Sequence, residues 1–159
     1  MNRRRIGVGV LLAFLFVGGG FTLRNLLRSD EDRIRSVLET MVRRFNAPDP
    51  GDIGEGFSED FEEEGSGLGR EDLERGMLFL ARTAGRPFPY QVHLDEEDLL
   101  ILVDGDEATA EGAAVFDTLR GSEWTETWRM GFRLEFRKDN GTWRVYRATT
   151  DTQSGRRPF

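Results

Sequence analysis

The stretch Trp124-Thr125-Glu126-Thr127-Trp128-Arg129-Met130-Gly131-Phe132-Arg133-Leu134-Glu135-Phe136-Arg137, followed beyond Lys138-Asp139 by Asn140-Gly141-Thr142-Trp143-Arg144-Val145-Tyr146-Arg147, decides the fold. Successive side chains of a strand point to opposite faces. Trp128, Met130, Phe132, Leu134 and Phe136 therefore share one face, and Arg129, Arg133, Glu135 and Arg137 share the other. Such a strand has one buried and one wet side, as antiparallel sheets allow. Asn140-Gly141 favours the positive φ angles of a tight hairpin, so the chain returns antiparallel as Thr142 to Thr150. Strict alternation along that return puts Trp143, Val145, Arg147 and Thr149 on one face.

Upstream the pattern repeats. Tyr90 to Asp95 alternates, Leu99 to Val103 is apolar, and Asp104-Gly105-Asp106 turns the chain into a further strand from Glu107 to Thr118. Before these strands the period changes. Ile34, Val37, Leu38, Met41, Val42 and Phe45 recur at three-and-four spacing, behind a cap at Ser29 or Asp30 with Asp32 placed for a capping box. Asn46 to Gly51, with prolines at 48 and 50, ends that helix. Ile53, Phe57 and Phe61 at intervals of four suggest a short, weak helix within Asp52–Glu64. Arg70 to Ala84 carries Leu73, Met77, Leu80, Ala81 and Ala84 on one face and ends at Gly85. Helices followed by antiparallel strands make an α+β domain, expected over residues 29–152, with residues 153–159 as a flexible tail.

The first 28 residues form a separate signal. Arg3-Arg4-Arg5 precedes an uncharged apolar run of 18 residues from Ile6 to Leu23, and Arg24 and Arg28 follow. As a helix the run is about 27 Å long, close to the ~30 Å of a bilayer core. It reads as a single-pass signal anchor that leaves the amino end in the cytoplasm and delivers the domain to the periplasm or cell exterior. The Gly18-Gly19-Gly20 triplet keeps a cleaved signal peptide, and a secreted domain, as the alternative. The three arginines match a twin-arginine export signal only poorly. With no cysteine, the chain has neither a lipoprotein anchor nor a disulfide.

Five of the 22 basic residues precede Asp30, leaving 17 against 29 acidic ones, a net −12 for the domain. That charge disfavours nucleic acid and anionic lipid as partners of the domain surface.

The amphipathic first helix, Gly51-Asp52-Ile53, Ser58-Glu59-Asp60-Phe61, Gly69-Arg70-Glu71-Asp72-Leu73 and the closing Gly141-Thr142-Trp143 come in an order that resembles the nuclear transport factor 2-like, or SnoaL-like, superfamily over Asp30 to Thr150. The resemblance implies a strongly bent antiparallel sheet wrapped around the helices as a cone, with a pocket at its open end. It also implies pairing of two copies through their sheets. The superfamily holds isomerases, cyclases and dehydratases beside non-catalytic proteins, so the fold alone assigns no reaction.

Neither a carboxylate base facing donors nor a histidine–aspartate set maps onto this chain, which has one histidine and two tyrosines. The catalytic candidates are Asp117, at a strand end where it could face the cone mouth, with Tyr90 or Tyr146 as donor; a solvated strand end is the plainer reading. His93 shares a face with Gln91 and Asp95 and reads as exposed. Trp128, Met130, Phe132, Trp143 and an inward Arg147 are the candidate pocket lining, though an aromatic stripe also suits a filled core and Arg147 a structural ion pair. Asp95-Glu96-Glu97-Asp98 and Asp104-Gly105-Asp106 read as solvated turns rather than a metal site, and no residue set asks for a cofactor. Asn140-Gly141-Thr142 fits a glycosylation triplet but already has its turn role. The expectation is a membrane-tethered, extracytoplasmic binding or assembly domain with protein partners. An isomerase- or cyclase-type enzyme, or a pocket for an apolar ligand, is the alternative.

Overall fold

A computed structural model describes residues 29–47 and 53–159. Helix α1 spans Asp30–Asn46. Its first turn is closed reciprocally: the Ser29 hydroxyl accepts the Asp32 N–H at 3.1 Å, and the Asp32 carboxylate accepts the Ser29 N–H at 3.3 Å. Ile34, Leu38 and Phe45 are buried along its inner stripe, with Val37, Met41 and Val42 packed beside them. The Asn46 amide then clamps the sheet, donating to the Val92 carbonyl and accepting the Val92 N–H, both at 2.7 Å.

A short 3-10 turn, Ile53–Gly56, leads into strand β1, Phe57–Glu63. The weak helix expected over Asp52–Glu64 is thus a turn and a strand. Phe57 and Phe61, four apart, satisfy the strand period of two as well as the helical one, and both are buried with ring centroids 4.5 Å apart. Helix α2 spans Arg70–Thr83; the Asp72 carboxylate accepts the Gly69 N–H at 3.1 Å at its start.

Five further strands complete the sheet, with β2 at Tyr90–Leu94, β3 at Leu100–Asp104, β4 at Glu107–Arg120, β5 at Glu123–Asp139 and β6 at Thr142–Gly155 following in chain order. The spatial order is β1-β6-β5-β4-β2, with β3 also on β4; β1 runs parallel to β6 and the other pairs are antiparallel. Asn140 and Gly141 take φ of 51° and 79°, the hairpin geometry expected of them.

Three irregularities bend the long strands. Thr127 is extra on β5 opposite Phe116/Asp117, Gln153 is extra on β6 opposite Arg129/Met130, and Tyr146 is extra opposite Glu135/Phe136. Each adds a residue to one strand, which coils the sheet and reverses which parity faces inward beyond it. The result is a curved, unclosed sheet whose concave side holds α1 and the core, centred on fully buried Phe136, Ile34 and Val145. Gly112 makes room for the Phe132 ring across the strand pair, because a Cβ there would lie 3.1 Å from it.

Strand β6 continues to Gly155, which pairs with Trp128, and the Arg156 N–H donates to the Thr127 carbonyl at 2.9 Å. Residues expected to fray are therefore sheet, followed by a segment packed on aromatic rings. Among the described residues no helix is long and apolar enough to cross a membrane; the expected span, Ile6 to Leu23, lies outside them.

Candidate functional site: an apolar cup

The concave face holds a half-open cavity of about 600 Å³. Its floor is the inward row of β4 and β5 (Ala114, Phe116, Trp128, Met130, Phe132 and Leu134) with Ala148 of β6. Leu38, Met41, Val42 and Phe45 of α1 form one wall, and Phe57 and Phe61 of β1 another. The rim is more polar, with Glu63, Ser66, Thr150, Asp151, Thr152 and Arg157 beside Leu68. An apolar interior with a few polar groups at its edge is the usual character of a small-molecule site, and the volume falls within the ~300–1,000 Å³ such sites occupy.

The rim carboxylate Glu63 is already committed. One oxygen accepts the Ser66 hydroxyl and N–H at 2.5 and 2.7 Å, and the other accepts the Thr150 hydroxyl at 3.3 Å. These bonds, the Ser66 hydroxyl foremost, hold its pKa below the usual glutamate value. It stays ionised at neutral pH, the reverse of what a general acid requires.

The tail closes one end of the cup. Phe159 packs at centroid distances of 5.4 to 6.3 Å from Tyr90, Phe116, Phe45 and Trp128. The Tyr90 hydroxyl donates to the Pro158 carbonyl at 3.3 Å. The Arg157 guanidinium lies over the Phe159 and Trp128 rings, 5.0 and 5.9 Å from their centroids.

The catalytic candidates do not converge. Asp117 pairs across the strand with Gln91, while Tyr90 pairs with Thr118, so Asp117 and Tyr90 lie on opposite faces of the sheet. Asp117 is on the outer face, buried to 8 % exposure, where it accepts the Gln91 amide at 3.1 Å and stands 3.4 Å from His93 Nδ1. It is neither aimed into the cone nor a solvated strand end. His93 is exposed, as expected. Tyr146 also points outward; its hydroxyl donates to Glu135 at 2.9 Å, and that bond to an anion raises its pKa.

Of the expected lining, Trp128, Met130 and Phe132 do face the cup. Trp143 does not line it. It is buried against the start of α1, where its indole N–H donates to Asp30 at 3.0 Å and Lys138 sits 4.8 Å from its ring centroid. Arg147 is on the outer face and exposed, beside Glu64 at 3.5 Å and Glu135 at 3.4 Å. The extra residue Tyr146 is the cause: Trp143 and Val145 face inward before it, Ala148 after it, and Arg147 is turned out. The sequence pattern does not reveal Phe57, Phe61 and Arg157 as lining, because β1 reads as helix and residues 153–159 as a flexible tail.

No curated protein matches the chain. Among solved structures, it is similar to a nuclear transport factor 2-like protein with a cystatin-like fold from Novosphingobium aromaticivorans, with 20% identity over 86% of this chain and 89% of that one and a TM-score of 0.65. A protein provisionally named a scytalone dehydratase, from the same species, shares 18% identity over 84% and 89% of the two chains at a TM-score of 0.64. A cystatin-like protein of unknown function from Nostoc punctiforme shares 18% identity over 78% and 91%, at 0.63. Likeness at this level of identity establishes the fold, α+β with a curved, open sheet. The model of the SnoaL-like domain matches residues 28–149, and the chain belongs to that family.

Proposed function

We propose that this domain binds an apolar small molecule in its cup and holds it without converting it, carried at an extracytoplasmic membrane surface by the segment Ile6 to Leu23. The observation that carries the reading is the cavity of about 600 Å³ whose floor and walls are aliphatic, thioether and aromatic side chains. Burying a ligand there gains about 25 cal/mol for each Å² of apolar surface removed from water. The groups that could move protons support binding over chemistry: Asp117, His93 and Tyr146 lie on the outer face, the Tyr90 hydroxyl is spent on the tail, and both Glu63 oxygens are taken up by Ser66 and Thr150.

The competing reading, an isomerase, cyclase or dehydratase of the kind found in this family, draws on the neighbour provisionally named a scytalone dehydratase. It needs an acid–base pair inside the cup. The two readings separate by extracting the purified full chain with organic solvent and identifying what is released by mass spectrometry. Binding predicts one apolar compound in near-equimolar amount, which rebinds and is recovered unchanged. Recovery of a second, catalytically formed species, lost in Glu63→Gln, would contradict it.

A further inference from the structure

We infer that the ligand of the cup is an amphiphile with a carboxylate head, held at the rim by Arg157; the inference rests on the cup being a binding site. Of the three charged residues at the rim, Asp151 pairs with Gly131 and turns its carboxylate to the outer face; the other two, Glu63 and Arg157, could meet a charged head, and they differ in what they have left to offer. Both Glu63 oxygens are occupied by Ser66 and Thr150. Arg157 lines the cup with no hydrogen bond or ion pair to any described residue, and its guanidinium carbon sits 5.0 and 5.9 Å from the Phe159 and Trp128 ring centroids. Attraction of the positive charge to the rings commits no N–H to an acceptor, so the guanidinium donors stay free.

Such a planar, oriented donor set matches a carboxylate in a bidentate pair. Thr152, whose hydroxyl accepts the Trp128 indole N–H at 3.1 Å, retains its own O–H donor beside it. The rim at this end is therefore a set of donors above an apolar well. The domain's net −12 opposes an anion at long range, but that repulsion is screened over about 8 Å at physiological salt, whereas the contact with Arg157 is not.

The test titrates the full chain at pH 8 with decanoate, decan-1-ol and decylamine, reading the intrinsic tryptophan fluorescence, in the wild type and in Arg157→Gln. The expected result is decanoate bound about tenfold or more tighter than the alcohol, as one charge-assisted pair implies, with the amine weakest. Arg157→Gln should erase that preference while leaving the alcohol within about twofold, and Arg157→Lys should restore part of it. Equal affinity for acid and alcohol, an amine preference, or an acid preference that survives Arg157→Gln would each overturn the inference and leave the cup reading standing. Binding of none of the three would overturn the cup reading and this one with it.

Discussion

Ala110 and Ala114 lie on the same strand and the same face, four residues apart, and both are buried, with 0 % and 5 % exposure. Ala114 borders the cavity and Ala110 does not. Ala110 pairs with Ile101 and Leu134 across its two neighbouring strands, whereas Ala114 pairs with Leu94 and Met130. Replacing each with leucine is the same chemical change set in packed protein in one case and at an empty space in the other. Three added carbons that fill a void stabilise by roughly 0.8 kcal/mol each, about 2 kcal/mol in all before the side chain's rotamer entropy is subtracted. Ala114→Leu should accordingly raise stability by about 1 kcal/mol. Ala110→Leu has no space to enter and should cost about 1–3 kcal/mol through displaced neighbours. Urea unfolding of the full chain, followed by tryptophan fluorescence, gives both values, and the midpoints should move in opposite directions. Equal destabilisation by the two substitutions would refute the idea that Ala114 faces unfilled volume.

Other outcomes follow from the same geometry. The Trp143 indole and Lys138 hold the Asp30 carboxyl below the usual aspartate value, so Asp30 contributes stability above its unfolded pKa that is lost as pH falls through its folded one. Trp143→Phe should flatten that acid-side loss in unfolding curves taken between neutral pH and pH 3, and an unchanged slope would show that the indole bond is not its source. Asn46→Ala removes two short bonds to Val92 and should cost about 2 kcal/mol. Its effect should show as faster amide exchange in β2, whereas unchanged protection there would mean the strand is held by β4 alone. Phe61→Ala, at the cup wall, should cost less than the ~3–5 kcal/mol expected for fully enclosed Phe136→Ala, since a ring facing a void has fewer partner atoms to lose. Denaturant midpoints of the two variants in the reverse order would contradict this.

What the sequence carries well is whatever has a single period. The alternation from Trp124 to Arg137 and the three-and-four stripe of α1 each admit one structure, and Asn140-Gly141 admits one turn. Spacing by four is ambiguous, being a helical repeat and twice a strand repeat, and Phe57 and Phe61 fell on the wrong side of it. A bulge is invisible to alternation. One extra residue at Tyr146 turned Arg147 outward, and no local residue preference marks that position. Asp117 shows the same limit: its parity was legible, but which face of β4 is concave depends on the helix packed against the whole sheet. Half of the cup came from the strand pattern, through Trp128, Met130 and Phe132. The other half comes from β1, α1 and the tail, brought to it only by tertiary packing. The amino-terminal apolar run, the feature that speaks for a membrane, lies outside the described residues and is a proposal from sequence.

The most direct test of the account is a crystal of this protein held under xenon pressure. Xenon enters apolar cavities that are empty of protein atoms and water. A hollow cup predicts strong xenon density between Met41, Phe61, Phe132 and Trp128, displaced when a saturating apolar ligand is added. A cup filled by its own side chains, with no xenon between those residues, would contradict the central claim.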